Sequence, residues 1–238
     1  MQASRRPGNT FGRVAESYKR TRPPYSHAAI DRASDELELS GDAIVLDLGA
    51  GTGNLTRALR ERFARVVAVE PDERMRAQFD GEVLAGSAER IPLPDASVDA
   101  VFAGEAFHWF EWAAAVEEIR RVSSSLAVLM RGWGETEQPG LLPPAFWAEL
   151  DQIWGRFHGP RSREDFPDWK AVLQPDGSET FVEMHRISGR DLVDLHMTSS
   201  TPASIDDDER AAIAERAYPT MDAEYELRVV TYLYWKSW

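Results

Sequence analysis

Residues 45–54 read VLDLGAGTGN. Val45, Leu46 and Leu48 make an apolar run around one acid, Asp47, and the run then breaks into alternating glycines, Gly49, Gly51 and Gly53. With the preceding Ala43 and Ile44, the apolar and β-branched start predicts a buried strand. Glycine reaches left-handed backbone conformations and lets bare backbone come close to a ligand. Leu55, Leu59 and Phe63 follow at helical spacing. The stretch therefore predicts a strand, a ligand-approaching turn and a helix.

Outward from this turn the alternation continues. Strands are expected at 65–69, 83–85, 98–103 and 126–130, with helices at 28–37, 55–63, 73–79 and 113–121. Pro23 and Pro24 sit just before the first of these helices, where proline marks a helix start. Strands alternating with helices imply a parallel sheet covered on both faces, a doubly wound α/β fold. Farther on, Phe146, Trp147, Leu150, Ile153 and Trp154 give an apolar helix face over 143–157. Alternation predicts two late strands, 180–187 and 225–235, as an antiparallel pair at the sheet edge. Helices are expected between them at 191–198 and 206–217, with Ser204 as N-cap of the second. The expected organisation is one domain, 1–238: lid helices in 1–40, a ligand-binding core in 41–133, a cap inserted at 134–175, and strands and helices completing the sheet in 176–238.

Composition narrows the function. The chain has 238 residues, 43% of them hydrophobic, which is enough for a proper core. It has no cysteine, so disulfides, thiolate metal sites and a cysteine nucleophile are excluded. Forty acidic against 27 basic residues give a formal charge of −13, a field that repels phosphate backbones and opposes a nucleic-acid partner. No apolar run approaches the roughly 20 residues of a membrane span, and the N-terminus has no apolar stretch of secretory type. A cytoplasmic protein with no membrane partner is expected. His158, His185 and His196 lack metal-ligand spacing, and Asp206–Glu209 reads as a solvated helix start rather than a cation site.

The glycine turn discriminates between ligands. A dinucleotide fingerprint G-x-G-x-x-G would need glycine where Asn54 stands, and a phosphate loop would need a Gly-Lys-Ser/Thr ending that is absent. Glu70, at the end of the second strand in VVAVEPDERM (66–75), can accept hydrogen bonds from both hydroxyls of a ribose. Asp47 can orient the amides of the turn or, through water, hold an α-amino group.

VLDLGAGTGNLTRAL, VVAVEPDERM and LAGSAERIPLPDASVDAVFAGEAFHWF resemble, in order and spacing, the successive motifs of class I S-adenosylmethionine-dependent methyltransferases. The small-molecule branch that includes trans-aconitate methyltransferase-like enzymes is the most similar. The resemblance implies a Rossmann-like sheet of about seven strands with the last one antiparallel, S-adenosylmethionine as cofactor and S-adenosylhomocysteine as product. It implies that Gly49, Ala50, Gly51 and Gly53 line the methionine and ribose part, and that Glu70 takes the ribose diol. Pro71 and Met75 belong to the P-D-x-x-M step, with Met75 against the adenine. Ser87, Ala88 and Glu89 border the adenine edge, where many relatives carry Asp in place of Ser87. Gly104 and Glu105 end the fourth strand beside the sulfonium.

Methyl transfer from a sulfonium releases a neutral thioether, so alignment and desolvation carry much of the catalysis. A base is needed only when the acceptor holds a proton of high pKa. His108, in AFHWFEW (106–112), is the candidate catalytic base, or else a structural histidine under the cofactor. Phe11, Tyr18, Arg22 and Tyr25 suit a lid, with Arg22 matched to a carboxylate of cofactor or acceptor. Trp133, Trp147, Trp154 and Trp169 suit an aromatic wall for a small-molecule acceptor, or the core of a small cap. O-methylation is the expected reaction. The alternative is a non-methylating enzyme or binding protein on the same fold.

Overall fold

The computed structural model describes residues 11–133, 140–158 and 169–238. Part of the expected cap, 134–139 and 159–168, and the first ten residues of the expected lid lie outside them.

Seven strands form one sheet in the order β3-β2-β1-β4-β5-β7-β6. They are β1 (Ile44–Leu48), β2 (Arg65–Glu70), β3 (Leu84–Ala85), β4 (Ala100–Gly104), β5 (Ser125–Gly132), β6 (Gly177–Ser188) and β7 (Glu224–Ser237). The first five are parallel. β7 runs antiparallel to β5, in register from Ser125↔Ser237 to Gly132↔Val230, and antiparallel to β6. The doubly wound sheet read from the sequence is thus the fold, with β6 and β7 as the expected edge pair.

Two compact units divide the chain. One holds Pro24–Gly132, Asp168–Glu183 in its described part, and Val230–Trp238. Its sheet is apolar on both faces, as parallel sheets require. On one face Val45, Phe102, Ala127, Leu129 and Leu233 pack with Tyr25, Ile30, Leu55 and Leu59 of the segment preceding α2, of α2 itself (His27–Glu36) and of α3 (Asn54–Arg62). On the other, Leu46, Leu48, Val101 and Val128 pack with Ala115, Ile119 and Val122 of α5 (Trp112–Val122) and with Trp169 and Leu173 of α7 (Trp169–Leu173).

One helix in this unit keeps its expected bounds to within a residue and one does not. α2 begins at His27, one residue before the expected start, because the Ser26 hydroxyl caps it by accepting the Ala29 N–H. The helix expected over 73–79 is only α4 (Glu73–Arg76). Asp72 caps its start, and the chain then tightens to three-residue hydrogen bonds, Gln78 N–H to Met75 and Phe79 N–H to Arg76. That turn brings Phe79 against Gly53.

The other unit holds the described parts of Met1–Pro23, Trp133–Pro167 and Met184–Val229. Its core joins Phe146, Leu150 and Ile153 of α6 (Pro144–His158) to Leu192, Val193 and Leu195 of α8 (Gly189–Met197) and Ile213, Ala214 and Ala217 of α9 (Asp207–Ala217). α1 (Ala15–Thr21) is tied to α8 by Arg20, which pairs with Asp191 and Asp194. Ser204 does not cap α9. Asp206 does, accepting the Glu209 N–H at 2.8 Å, while Ser204 sits in a preceding single turn and donates to Ser200. A carboxylate at that place also faces the positive end of the helix.

Candidate functional site

The turn after β1 is built as the glycines suggest. Gly49, Gly51 and Gly53 all have left-handed backbone, with φ of 75°, 59° and 84°. The N–H groups of Gly49 and Ala50 both donate to Val69 O, which ties the turn to the neighbouring strand. A methyl group at Gly49 would meet Ala106 Cβ at 2.7 Å, and one at Gly53 would meet Phe79 at 2.9 Å. At Gly51 the nearest atom to such a group is Met75 Cε, at 3.2 Å. Backbone conformation and close packing both demand glycine here.

Glu70 ends β2 and is buried against the turn. Its Oε2 accepts the Gly51 N–H and its Oε1 the Asp72 N–H, each at 2.8 Å. Burial pushes its pKa up, and the two backbone donors pull it down. A carboxylate oxygen accepts more than one hydrogen bond, so each Glu70 oxygen keeps capacity for a ligand hydroxyl. Pro71 follows in the same turn, where its carbonyl and that of Glu70 accept from Arg76.

Asp47 is fully buried on β1. Its Oδ2 accepts the Thr56 hydroxyl at 2.5 Å, and its Oδ1 has no hydrogen-bond partner. Desolvation, with a further push from the Glu70 charge, raises its pKa to about 7 against the Thr56 hydrogen bond. Thr52 Oγ1, in the turn itself, is also buried without a partner. Buried polar atoms in folded proteins are nearly always satisfied. Two buried carboxylates, each with its pKa raised chiefly by burial, beside a left-handed turn suit a cationic ligand with hydroxyl groups. The residues present therefore fit S-adenosylmethionine, whose ammonium and ribose diol match an unpartnered carboxylate oxygen and a second carboxylate.

Several other expected site residues belong to the same unit. Met75 and Ala88 are buried. Ser87 and Arg90 exchange backbone hydrogen bonds in a small bridge. Glu89 Oε1 accepts the Glu111 N–H at 2.9 Å, which ties this segment to the start of α5. Gly104 ends β4, and a methyl group there would lie 2.4 Å from the Tyr25 hydroxyl. Glu105 follows with left-handed backbone, φ 54°, and its carboxylate accepts the Arg131 N–H.

His108 lies in a single 3₁₀ turn, Phe107–Trp109, directly after β4. Phe107 is fully buried and packs on Phe110 and Trp169, which anchors the turn. The His108 ring rests against Trp109, and its Nδ1 is buried without a hydrogen-bond partner. Burial lowers its pKa, opposed by the Glu105 charge, which favours the neutral imidazole.

Tyr18 and Arg22 fall in the other unit, apart in the chain's division from the glycine turn. There the Arg22 guanidinium stacks over Tyr18 at 4.4 Å and Trp133 at 4.6 Å, and donates to Thr198 O at 3.0 Å. Phe11 opens a 3₁₀ turn, Phe11–Val14, in the same unit. Trp147 packs edge-on against His196 in that unit's core, whereas Trp169 belongs to the sheet unit beside Phe107 and Tyr234. Trp133, Trp147 and Trp154 thus fall in one unit and Trp169 in the other.

Sequence reasoning missed Thr56, Thr52 and Arg131. Thr56 lies two residues into α3, nine residues after Asp47, and its polarity on an otherwise apolar helix face was the available signal. Among the described residues no group of three or more His, Asp or Glu side chains gathers as a metal site, and no helix is long and apolar enough to cross a membrane.

A mixed sheet of this order, with a glycine turn after β1 and an acid at the end of β2, defines the class I methyltransferase architecture. Residues 46–129 match the family model described as a methyltransferase domain. The chain is 40% identical over 182 residues to an uncharacterized methyltransferase of Mycobacterium tuberculosis, covering 73% of this chain and 71% of that protein. It is 28% identical over 205 residues to a malonyl-[acyl-carrier protein] O-methyltransferase of Yersinia pestis, covering 77% and 73%. A structure assigned to a type II methyltransferase of Anaeromyxobacter dehalogenans superposes with a TM-score of 0.58 at 24% identity, over 90% of this chain and 96% of that one. The chain belongs to the class I S-adenosylmethionine-dependent methyltransferase family.

Proposed function

We propose that this enzyme uses S-adenosylmethionine to methylate an oxygen of a small-molecule acceptor, releasing S-adenosylhomocysteine. The observation that carries the reading is the pair of buried carboxylates beside the glycine turn, with Asp47 Oδ1 unpartnered and Glu70 held by two backbone N–H groups. The cofactor supplies an electrophilic methyl group on a sulfonium. Asp47 orients the ammonium end, and Glu70 takes the ribose hydroxyls with a charge-assisted contact. Gly49, Ala50, Gly51 and Gly53 let the backbone approach. Pro71 and Met75 bound the adenine on one side, and Ser87, Ala88 and Glu89 on the other. Gly104 borders the reacting end of the cofactor.

His108, in the turn after β4 and with its pKa lowered by burial, is the candidate to accept a proton from a hydroxyl acceptor. The identity to an O-methyltransferase supports oxygen as the methylated atom. The net charge of −13 supports a small molecule over a nucleic acid, and a cytoplasmic setting agrees with the cysteine-free chain.

The test is a parallel calorimetric titration with S-adenosylmethionine, S-adenosylhomocysteine and NAD. Micromolar binding of the first two, with NAD silent, is expected. Binding of NAD alone overturns the reading.

A further inference from the structure

Of the buried residues of α3, namely Leu55, Thr56, Ala58 and Leu59, only Thr56 is polar. Its hydroxyl donates to Asp47 Oδ2 at 2.5 Å, and its main-chain N–H acts on the same carboxylate. Asp47 stands two residues after Val45 and so faces the same side of the sheet. That is the side on which α2 and α3 pack. Its strand neighbours, Ala68 of β2 and Phe102 of β4, carry no charge. The charged groups that act on it are Glu70, which opposes ionisation, and Arg60 of α3, which favours it. Elsewhere on this side the charges are engaged with one another or with rings: Asp31 with Arg62, Arg32 with Glu36, and Arg131 over Tyr25.

Thr56 thus fixes one oxygen of Asp47, while Oδ1 is buried with no hydrogen-bond partner. An open buried acceptor is costly until a ligand or a proton satisfies it. Burial favours the neutral acid, and a hydrogen bond from a hydroxyl favours the carboxylate. Here the two are close to balance: burial pushes Asp47 up to about 7 against both contacts from Thr56.

We propose, resting on the methyltransferase reading above, that Thr56 is a positioning residue for the cofactor. Acting through Asp47, its hydroxyl engages Oδ2, leaves Oδ1 as the acceptor for the ammonium end, and poises the carboxyl so that binding drives a proton off it. The step balances. The O–H bond of the neutral acid breaks, its electron pair stays on the carboxylate, and the proton passes to the buffer. The ammonium of the ligand supplies the opposite charge.

Proton release is counted directly. S-adenosylhomocysteine, which has the same ammonium end, is titrated into the full chain at pH 7 in phosphate and in Tris, buffers of different ionisation enthalpy. The parent should release about half a proton, and Asp47→Asn none. Thr56→Val keeps the shape and the main-chain N–H but lacks the hydroxyl. Losing a hydrogen bond to a charged group raises the midpoint by about one to two pH units. Release should then rise to about 0.9 proton or more, and affinity at pH 7 should fall about 5- to 50-fold. Thr56→Ser, which keeps the hydroxyl, should match the parent. A merely structural threonine would change melting temperature without moving the proton count. Should Thr56→Val fail to fold, Thr56→Ala removes the same hydroxyl and is expected to give the same count. The positioning by Thr56 is overturned, with the cofactor assignment left standing, by any of four results. These are no release from the parent, equal counts in parent and hydroxyl-free variants, a Thr56→Ser count that follows Thr56→Val, or release persisting in Asp47→Asn. Failure of the parent to bind S-adenosylhomocysteine overturns both.

Discussion

Replacing Glu70 with glutamine tests the cofactor site most directly. The change keeps the volume of a buried side chain but exchanges one acceptor oxygen for an NH₂ donor. Both oxygens are already engaged, Oε2 by Gly51 N–H and Oε1 by Asp72 N–H, each at 2.8 Å. Whichever way the amide turns, its NH₂ faces a backbone N–H. One charge-assisted hydrogen bond is lost, and a buried donor is left without an acceptor. Hydrogen bonds to charged groups contribute about 1.5–3 kcal/mol, so unfolding free energy should fall by about that much in urea titrations. The same NH₂ can no longer accept from a ribose hydroxyl. S-adenosylhomocysteine affinity should therefore weaken by about 10- to 150-fold, read by calorimetry well below the melting temperature. Loss of stability with affinity unchanged within twofold would remove Glu70 from the ribose site. Unchanged stability would refute the clamp itself.

Three further outcomes are expected. Asp47, with its pKa raised to about 7 by burial, is protonated in the free enzyme below neutrality and ionises against a cationic ligand. S-adenosylhomocysteine affinity should then rise with pH up to about 7, by at most tenfold per unit, and Asp47→Asn should flatten the profile; an unmodified slope in the variant refutes the coupling. His196 is buried, donates its Nδ1–H to Leu192 O at 2.9 Å, and has its pKa lowered to about 4 by burial. Between 4 and the ordinary 6.5 only the unfolded chain takes up the proton, so its contribution is present above pH 6.5 and is lost as pH falls, about 3 kcal/mol in all. Urea unfolding of the parent and His196→Phe at pH 7.5 and 4.5 should converge toward low pH, and a constant gap would count against the assignment. Gly104→Ala places a methyl 2.4 Å from the Tyr25 hydroxyl and 2.8 Å from Leu55, an overpacking that should cost about 1–3 kcal/mol. A melting temperature equal to the parent's would mean that Tyr25 moves aside freely.

What the sequence made legible follows the range of the forces involved. β1, the glycine turn and α3 are local: alternation, left-handed preference and helical spacing all lie within the 20 residues from Val45 to Ala64, and the structure agrees with each. The edge pair β6 and β7 was visible from alternation alone. Helix caps were half legible. Ser204 and Asp206 both have capping chemistry, and only the chain path decides between them. The partners of the site residues were not legible. Thr56 meets Asp47 through the return of α3, Glu89 meets Glu111 across 22 residues, and Arg131 meets Tyr25 through the sheet. Such contacts are set by tertiary packing, and no local pattern announces them.

Among the described residues the sheet ends at β6, which pairs on one side only in the strand order. Its unpaired amides and carbonyls are a template for strand addition, and Val182 and Met184 along it are half exposed. Glu183 stands among these residues, and Glu179 is paired with Arg32 of α2 at 2.7 Å. Glu183 acts as an electrostatic guard rail: in a neutral buffer a second copy of this edge meets a carboxylate as well as hydrogen-bonding groups. Solution behaviour follows from that placement. Acidification below the carboxylate range, or replacing Glu183 with glutamine, weakens the guard along a twelve-residue edge strand.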